Sequence, residues 1–549
     1  MAERSRSRFM VPQFVLLTAL GLSTCKAPPQ RPDGATQPVV RVGILEHRQF
    51  VEFRFDGKAN FEHPGSGLVM RGVQGGRWRV EAVDSRPAEF VYRLAVGTTG
   101  SRIRAEEIVR SLANKKLTAR IVKLKRPQSL RLPYVSRSLY QVVLSKEFKD
   151  EKEARAYQNL IQPKTGSEMV AVPRGQAAGF LRFTNLETQY SFDARETVRL
   201  DAARIQVLDV DVGSGYHWQK SEDRAYSGTF EFVIDAYGLI TAVNELPLET
   251  YLKGVVPSEM PVSFPAEALK AQAVAARVEA VTKIGVRHPF EPFDLCDDVH
   301  CQVFTGTSKV ADASSRAVES TRGIFMIYRK ELAEAFYSGL CGGHTENNEN
   351  VWLMDAKPYL RGVLDRDGSG RSRLRTSLQE EKNLRKWVDS SPNVFCNTTR
   401  GNVPASVGYS KKYFRWKVEY TRSQLEAILR EKTGRDFGAL VDLVPLKRGV
   451  SGRLKELEVV GTKERFVLSR ELPIRQALSK STLYSAAFYV SKRGGHNGLP
   501  DKIILKGAGW GHGVGMCQIG AAVMAHKGFK FDQILRHYYT DVFLEALYR

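Results

Sequence analysis

Apolar and polar residues alternate along the chain from Val39 onward, and this pattern is the first guide to its elements. The runs VVRVGI and FVEFRF place apolar residues at alternate positions, which is typical of strands with one buried face. The alternation returns after Ala178 in GFLRFTN, IQVLDVDV and GTFEFVIDAYGLITAVN. Two β-rich segments are therefore predicted, one over residues 39–89 and one that begins at residue 178.

Residues 90–175 follow a different pattern. The strand-like runs FVYRLAV, LTARIVKL, LYQVVL and EMVAVP flank the helix-like runs AEEIVRSLANK and DEKEARAYQNLI. This order predicts a βαββαβ module, although a generic α+β insertion would give the same pattern. No acidic residue lies between Glu107 and Glu147, whereas ten Lys or Arg residues do, and such a basic run favours an anionic ligand.

The stretch LPLETYLKGVVPSEMPVSFPAEALKAQAVAARVEAVTKIG, residues 246–285, contains an Ala-rich predicted helix. Pro265 has the fixed φ that suits a first helical position, and Gly285 is a stop signal. So many alanines allow neighbouring backbones to pack close to this helix. Gln272 and Arg277 lie within the small-residue run, and a buried guanidinium must be paired.

Glu259 precedes this helix in a predicted turn bounded by Pro257 and Pro261. A carboxyl held beside apolar Val255 and Met260 would have its pKa raised towards use as a general acid. A Glu ahead of a helix is also commonly a cap or a solvated turn residue. These residues alone leave both interpretations open.

The segment GAGWGHGVGMCQIGAAVMAHKG places glycine at every second position from Gly507 to Gly515. One side of the segment is therefore bare, which permits close approach of a ligand or of another strand. Trp510 could stack on a sugar face and His512 could hydrogen-bond a hydroxyl, but a tightly packed turn with Trp510 in the core is equally compatible. The segment lacks the Gly-Lys-Ser/Thr of a phosphate loop.

Cysteine and histidine cluster in two neighbouring motifs, DLCDDVHCQVFTG at residues 294–306 and AFYSGLCGGHTENNENVW at residues 335–352. Cys296, His300, Cys301 and Cys341 suit a tetrahedral zinc site, with His288 and His344 as reserves. In an oxidising compartment a Cys296–Cys301 or Cys301–Cys341 disulfide is the rival prediction. The sequence assigns no role to Cys396 or Cys517.

The composition narrows the partners of this 549-residue chain. Its 82 Lys and Arg residues exceed its 60 Asp and Glu residues, for a formal net charge of +22. Such a surface favours a polyanion, whether nucleic acid, anionic lipid or an acidic cell-wall polymer. No helix-turn-helix, zinc-finger or RRM-like pattern is present in the sequence, so we expect no nucleic-acid partner.

The first residues predict export. A basic start with Arg4, Arg6 and Arg8 precedes an apolar run over residues 9–22 that is short for a membrane span, so residues 1–24 read as a signal peptide. LSTC, which ends at Cys25, resembles a bacterial lipobox, with Thr where Gly or Ala is usual. Residues 25–38 form a Pro-rich tether. We expect secretion to the periplasm or cell envelope, with a lipid anchor on Cys25 and plain secretion as the alternative.

LPLETYLKGVVPSEMP followed by AEALKAQAVAARVEA resembles the signature of the SpoIID/LytB family, the stage II sporulation protein D type of peptidoglycan enzyme. The motifs at residues 294–306, 335–352 and 507–528 match further blocks of that family, down to the final HYY at His537. The resemblance implies an α+β fold in which a β-rich SpoIID-type catalytic domain with a central Ala-rich helix spans residues 178–549. The β-rich and βαββαβ modules would precede it.

The same resemblance implies site residues. Glu259 would be the catalytic acid and Arg277 a second functional residue that orients Glu259 or holds the saccharide. The substrate-binding positions would be Gln272, His344, Trp510, His512 and Gln518. Some family members carry a structural zinc near the groove, which agrees with the zinc prediction above.

The βαββαβ module resembles a SPOR domain, which binds peptidoglycan glycan strands that lack stem peptides. The expected partners are therefore glycan strands, the membrane through the lipid anchor, and an amidase that removes stem peptides.

The resemblance implies a lytic transglycosylase that cleaves MurNAc–GlcNAc bonds with one acid/base and leaves 1,6-anhydroMurNAc ends. Ordinary hydrolysis is the alternative within the enzyme class, with Asp297, Asp298 or Glu346 as a second carboxyl. Two other classes also remain: a non-catalytic glycan binder that stimulates an autolysin, as LytB-type members are thought to do, and a wall-binding scaffold.

Overall fold

The structure is a computed structural model that describes residues 36–64, 67–127, 129–195, 197–213, 220–367 and 376–549. The predicted signal peptide, the lipid anchor at Cys25 and most of the tether lie outside the described residues. The chain first builds long antiparallel strands, which are β1 (Val39–Arg48), β2 (Phe50–His63) and β3 (Gly67–Arg86). Alternate residues such as Val51, Phe53 and Phe55 point into the core, as the period-two pattern predicts.

The βαββαβ order predicted for residues 90–175 is present. The module consists of β4 (Glu89–Thr99), α1 (Arg102–Ala113), β5 (Ala119–Lys125), β6 (Ser138–Leu144), α2 (Glu151–Thr165) and β7 (Glu168–Arg174). Its four strands form one antiparallel sheet in the order β5-β6-β4-β7. Both helices cover one sheet face, where Leu94, Val142 and Leu144 pack with Ala105 and Ala154.

After the module the chain returns to the large sheet. The returning strands are β8 (Ala178–Asn185), β9 (Ser191–Arg195), β10 (Val198–Asp201), β11 (Ile205–Val212), β12 (Lys220–Tyr226), β13 (Thr229–Ile234) and β14 (Ile240–Pro247). β14 pairs with β1, and β8 pairs with β3, so the segment before the module and the segment after it share one sheet. The 39–89 strands thus pack as part of the same body as the strands after residue 178.

Two helices carry the chain from this sheet into the core. They are α3 (Leu248–Glu259) and α4 (Ala266–Lys283), and Gly285 follows α4 at a φ of +73°. Thirteen of the 18 residues of α4 are buried, which explains its alanines, because the helix is enclosed by neighbours on nearly all sides. The module docks at its end, where Arg126 Nη1 donates to the carbonyls of Val281 (3.0 Å) and Ile284 (2.9 Å).

The elements from residue 295 to 414 continue the main core. They are β15 (Leu295–Cys296), α5 (Asp312–Ser320), β16 (Ile324–Tyr328), β17 (Glu331–Leu332), β18 (Tyr337–Ser338), α6 (Asn348–Val351), α7 (Glu381–Asp389), a 3₁₀ helix (Ala405–Ser410) and α8 (Lys411–Phe414). β15 adds a parallel edge to β1 of the large sheet.

The last part of the chain forms a second hydrophobic core and then rejoins the first. Its elements are β19 (Arg415–Thr421), α9 (Arg422–Thr433), β20 (Leu440–Arg448), β21 (Leu454–Gly461), β22 (Arg465–Ser469), α10 (Glu471–Ala477), β23 (Phe488–Arg493), β24 (Lys502–Ala508), β25 (Met516–Cys517), α11 (Gln518–His526), α12 (Phe531–Tyr538) and β26 (Phe543–Ala546). Two three-stranded sheets with α9 and α10 enclose the second core. α11 and α12 then pack on α4.

The fold class is confirmed as a β-rich α+β architecture around an Ala-rich central helix. Among the helices of the described residues, we find none with the length and apolar character needed to cross a membrane.

Candidate active site

Glu259 is the last residue of α3, whereas the sequence predicts a Pro-bounded turn at this position. Pro257 lies inside the last turn of the helix, where its missing N–H removes one backbone hydrogen bond. The helix continues past it, and Ser258 Oγ donates to the Gly254 carbonyl (2.8 Å). The carboxyl of Glu259 therefore projects from a helix end that is anchored in the core.

A cleft of about 1030 Å³ surrounds the Glu259 side chain. Its walls come from the segment after residue 178 and from the βαββαβ module. From the segment after residue 178, the lining includes Glu259, Glu279, Lys283, His288, His300, Cys301, Val303, Glu334, Phe336, Tyr337, Trp352 and His512. From the βαββαβ module, it includes Tyr92, Ala95, Val96, Gly97, Thr98, Gln141, Glu151, Arg155, Met169, Val170 and Ala171.

The environment of Glu259 disfavours its charged form. Burial raises the pKa of this carboxyl above its usual value, against the opposing effects of the Val303 N–H, Lys283 and the Tyr337 hydroxyl. Val303 N–H donates to Oε1 at 2.9 Å and fixes the carboxyl orientation. The nearby Glu279 and the negative end of the α3 macrodipole both oppose a second negative charge. A raised pKa and a fixed orientation are both features that general-acid chemistry requires.

Gln272 and Gln518 form a hydrogen-bonded pair that holds the backbone carbonyl of Glu259. Gln518 Nε2 lies 2.9 Å from the Glu259 carbonyl and 3.1 Å from Gln272 Oε1, and it donates to both. Neither glutamine lines the cleft. The structure therefore assigns them to positioning the end of α3, instead of the direct substrate contact predicted from the resemblance.

His512 lines the cleft, as predicted. Its Nε2 lies 2.9 Å from the Tyr337 carbonyl, and its Nδ1 accepts from Val514 N–H at 3.1 Å, so Nε2 carries the proton. Burial lowers the pKa of His512 to about 4, so the ring is neutral at physiological pH. Its ring packs 4.9 Å from the ring of Trp352, an aromatic residue of the cleft that the sequence did not single out.

His344 and Trp510 lie outside the cleft lining. His344 is buried, and its Nδ1 donates to the Thr345 carbonyl at 2.7 Å. Trp510 is 41% exposed and stacks on Tyr413 with ring centroids 4.5 Å apart. Their predicted contact with substrate at the Glu259 cleft is not supported by this geometry.

Two of the alternating glycines of residues 507–515 face the backbone of the neighbouring segment at residues 336–340. A Cβ at Gly515 would lie 2.0 Å from the Phe336 carbonyl oxygen, and one at Gly509 would lie 2.7 Å from the Leu340 carbonyl oxygen. The bare side of the segment thus lets it pack directly on the strand that carries Tyr337 into the cleft.

Arg277 forms an ion pair in the core. Its Nε and Nη2 donate to the two carboxylate oxygens of Glu249 at 2.9 and 2.7 Å, and its Nη1 donates to the Ile324 carbonyl at 3.2 Å. Tyr548 donates a further hydrogen bond to Glu249. The guanidinium is fully buried and does not line the cleft. Contrary to the predicted role, Arg277 makes no contact with Glu259 and does not reach the cleft.

The three carboxyls proposed for a hydrolytic alternative, Asp297, Asp298 and Glu346, do not line the cleft. Asp297 is paired with Arg224 at 3.1 Å. Glu346 accepts from the backbone N–H groups of Val450 and Ser451, at 3.0 Å each, and is buried. Asp298 does not line the cleft.

Five other carboxyls line the cleft with Glu259, and they belong to Glu151, Glu168, Glu279, Glu291 and Glu334. Burial raises the pKa of Glu334 above its usual value, against the effect of Lys357. For Glu279 the sequence held one signal, a charged residue inside the Ala-rich helix, as for Arg277. Glu334 gave no sequence signal, because only the fold brings it to Glu259.

Three of the four predicted zinc ligands come together at the edge of the cleft. Cys296 Sγ lies 3.7 Å from His300 Nδ1, and Cys301 Sγ lies 3.4 Å from His288 Nε2. The candidate ligand atoms of these four residues all lie within 4.8 Å of one another. His288, named as a reserve, thus takes the fourth position. Two thiols and two imidazoles are a donor set that fits tetrahedral zinc.

Cys341 does not join this cluster, and that part of the prediction is wrong. Its Sγ lies 3.6 Å from Cys396 Sγ, in a separate group with Asp365 and Cys517. The Gly342–Gly343 turn approaches the 507–517 segment, which carries Cys341 away from Cys301. The five cysteines of the described residues are all free thiols, so neither predicted disulfide forms.

Comparison with known proteins identifies the family. The family described as "Stage II sporulation protein" matches residues 236–328, and a domain of unknown function matches residues 346–515. An uncharacterized protein of Brachyspira hyodysenteriae (strain ATCC 49526 / WA1) is 31% identical over 317 residues, covering 58% of this chain and 71% of the relative. The "Stage II sporulation protein D" of Bacillus amyloliquefaciens is 29% identical, covering 55% of this chain and 75% of the relative.

A third relative, the "Amidase enhancer" of Bacillus subtilis (strain 168), is 28% identical, covering 54% of this chain and 40% of the relative. The fold and site define an α+β protein with a partly buried carboxyl in a cleft between the module and the main core. The chain belongs to the SpoIID/LytB family. A function related to the cell wall fits this membership.

Proposed function

We propose that this protein is a lytic transglycosylase that cleaves MurNAc–GlcNAc bonds in peptidoglycan glycan strands. The observation that carries the proposal is Glu259, a carboxyl with a raised pKa that Val303 N–H orients inside the cleft. A cleft of about 1030 Å³ with aromatic residues in its walls, among them Tyr92, Tyr337 and Trp352, suits a sugar ligand.

In the proposed reaction, Glu259 first donates its proton to the glycosidic oxygen as the bond from that oxygen to MurNAc C1 breaks. The resulting carboxylate then accepts the proton of the MurNAc 6-hydroxyl while O6 forms a bond to C1. The products are a new GlcNAc hydroxyl and a 1,6-anhydroMurNAc end, and Glu259 returns to its protonated form. One carboxyl thus serves both steps, because the second proton replaces the first.

The Tyr337 hydroxyl contacts Glu259 without adding charge. The neutral His512 holds the backbone of Tyr337 through its Nε2, and we assign it to positioning that residue beside Glu259. Hydrolysis remains a competing reaction, because Glu279 and Glu334 also line the cleft and a second carboxylate could activate water. Burial and the neighbouring Glu279 raise the pKa of Glu259 and so favour its protonated form at the start of either reaction.

We propose that glycan strands lacking stem peptides are the substrate. The SPOR-like module supports this, because its sheet contributes Tyr92, Gly97, Thr98 and Met169 to the same cleft as Glu259. A bare glycan strand could contact the module and the catalytic carboxyl together. An amidase that removes stem peptides would then be the partner that supplies the substrate, and a lipid anchor on Cys25 would hold the protein in the cell envelope.

We also propose that His288, Cys296, His300 and Cys301 hold a structural zinc ion. Four protein ligands would close the coordination sphere, so the ion would stabilise the loop and supply no nucleophile. The loop matters for Glu259, because Val303 follows Cys301 by two residues and donates the hydrogen bond to Oε1. Zinc at this position would therefore hold that donor in place.

The products formed from purified glycan strands test the proposed function. Strands stripped of stem peptides and incubated with the purified protein are expected to release saccharides with 1,6-anhydro ends, measured by mass spectrometry. Intact peptidoglycan with its stem peptides is the comparison substrate and should react more slowly. Products with reducing ends alone would establish hydrolysis instead.

A second candidate function comes from the relative named "Amidase enhancer". In this alternative the protein binds glycan without cleaving it and stimulates an amidase. Unchanged strands in the same assay, together with faster stem-peptide release when an amidase is added, would favour this alternative over the transglycosylase.

The pH dependence tests the role of Tyr337 at Glu259. The Tyr337 hydroxyl stabilises the carboxylate form of Glu259, so Tyr337→Phe should raise its pKa further. Because the acid must be protonated, the alkaline fall of kcat/KM should move to higher pH in this variant. The matched control is Tyr190→Phe, an exposed tyrosine outside the cleft lining, which should leave the profile unchanged. A shift to lower pH in Tyr337→Phe would contradict the assignment.

A further inference from the structure

We infer that Cys341, Asp365, Cys396 and Cys517 form a second zinc site, buried in the core and separate from the site at the cleft edge. Their candidate ligand atoms all lie within 4.8 Å of one another, and all four residues are buried. None of them lines the cleft. The four come from segments that are far apart in the sequence, so only folding assembles the group.

The separation of the sulfur atoms fits metal coordination. Two sulfurs bound to one tetrahedral zinc at ~2.3 Å each lie about 3.8 Å apart. Cys341 Sγ and Cys396 Sγ are 3.6 Å apart. A disulfide would require ~2.05 Å, so these two side chains are spaced as neighbouring ligands.

Hydrogen bonds already orient the donor atoms, as outer partners do at metal sites. The N–H groups of Cys341 and Gly520 point to Cys517 Sγ at 3.2 and 3.4 Å. Asp365 accepts from the Tyr538 hydroxyl on Oδ1 (2.7 Å) and from Cys396 N–H on Oδ2 (2.9 Å). Each donor therefore keeps its position while a lone pair remains for an ion.

In its metal-binding form the group would carry negative charge, because thiols bind zinc as thiolates. Thiolates and a carboxylate buried together without a counter-ion would be costly. Arg415 supplies one nearby positive charge, and it donates to the Gly342 carbonyl at 3.1 Å beside Cys341. A divalent ion at the centre of the group would neutralise most of the remainder. Three sulfurs and one carboxylate oxygen suit zinc better than the oxygen-preferring magnesium or calcium.

The proposed ion would join the back of the active site to the rest of the core. Cys517 is followed directly by Gln518, whose side chain holds the Glu259 carbonyl. Cys341 begins the Gly-Gly turn that packs on the 507–517 segment. With four protein ligands the ion would be closed to solvent and would act structurally.

Zinc content of the full-length protein tests the inference. Protein purified without added metal should contain about two zinc ions per chain, one from each four-ligand group. In the Cys296→Ala/Cys301→Ala background, which removes the cleft-edge ligands, one ion per chain should remain. Adding Cys396→Ala to that background should remove it. This background makes the result independent of the first site and of the proposed activity.

If Cys396→Ala fails to fold, Asp365→Asn is the conservative alternative, because it keeps the shape of the side chain. We expect it to bind zinc more weakly in competition with a chelator, by on the order of 10-fold or more. Cobalt replacement gives a second readout, because sulfur-to-cobalt absorption should persist in the Cys296→Ala/Cys301→Ala variant and disappear when Cys396→Ala is added to it.

Counting thiols after denaturation identifies the outcomes that would overturn the inference. Wild-type thiols should become fully reactive when a chelator is added to the denatured protein. In the Cys296→Ala/Cys301→Ala variant, loss of two reactive thiols that only a reductant recovers would mean a disulfide within the second group, such as Cys341–Cys396. Fully reactive thiols with no zinc in the cleft-edge variant would mean a metal-free thiol cluster.

Discussion

Glu259→Gln is expected to abolish the release of 1,6-anhydro-ended saccharides while the fold stays intact. Loss of a general acid costs on the order of 10²–10⁴-fold in rate, and more when the same group serves both proton transfers. The glutamine keeps the side-chain shape and can still accept the Val303 hydrogen bond, so the end of α3 should not move. The measurement is the rate of product release from stripped glycan strands.

Glu431→Gln is the matched control, because Glu431 lies on the exposed surface of α9 and should leave the rate unchanged. Binding of glycan to the Glu259→Gln variant should persist, which separates loss of chemistry from loss of substrate contact. Near-normal activity in Glu259→Gln would show that another carboxyl, Glu279 or Glu334, is the acid.

Arg277→Ala is expected to lower the free energy of unfolding by about 3–5 kcal/mol, because it leaves the buried Glu249 carboxylate without its partner. Burial alone would raise the pKa of Glu249, and the ion pair with Arg277 keeps it below its usual value. Urea unfolding followed by circular dichroism measures the change. Arg316→Ala, on the exposed face of α5, is the control and should have little effect.

This experiment also decides the role of Arg277. Where the variant remains folded, its kcat on stripped glycan should stay near that of the wild type, since the guanidinium does not line the cleft. Replacing both partners, as in Glu249→Leu/Arg277→Met, should recover part of the stability, because no charge is then left unpaired. A stable Arg277→Ala protein with lost activity would restore the catalytic role implied by the resemblance.

Local sequence patterns were sufficient to predict the elements that depend on interactions between neighbouring residues. Period-two alternation predicted the long strands such as β2, and the spacing of helix-like and strand-like runs predicted the βαββαβ order of residues 90–175. Pro265 and Gly285 marked the ends of α4 to within two residues, because they act through their own backbone geometry. The motif residues around Glu259 and His512 were sufficient to select two side chains that line the cleft.

The sequence also required that Arg277 be paired if buried, but only the tertiary structure identified Glu249 as its partner. The same limit applies to the cysteines. The short spacing of Cys296, His300 and Cys301 was sufficient to predict that they lie together, because all three belong to one loop. It could not show that Cys341 meets Cys396 and Cys517, which are 55 and 176 positions away.

The cleft itself was decided by the tertiary structure. One wall comes from the module at residues 90–175. The other wall carries Glu279, which belongs to the same signature stretch as Glu259, and Glu334, which stands in no recognisable motif with Glu259. Strand alternation and helix signals are properties of neighbours in the chain, whereas the position of a wall depends on which surfaces pack together. By itself the sequence therefore determined the elements, the family and the identity of the candidate acid. Long-range packing determined which side chains face that acid, because contacts between distant segments leave no periodic trace in the chain.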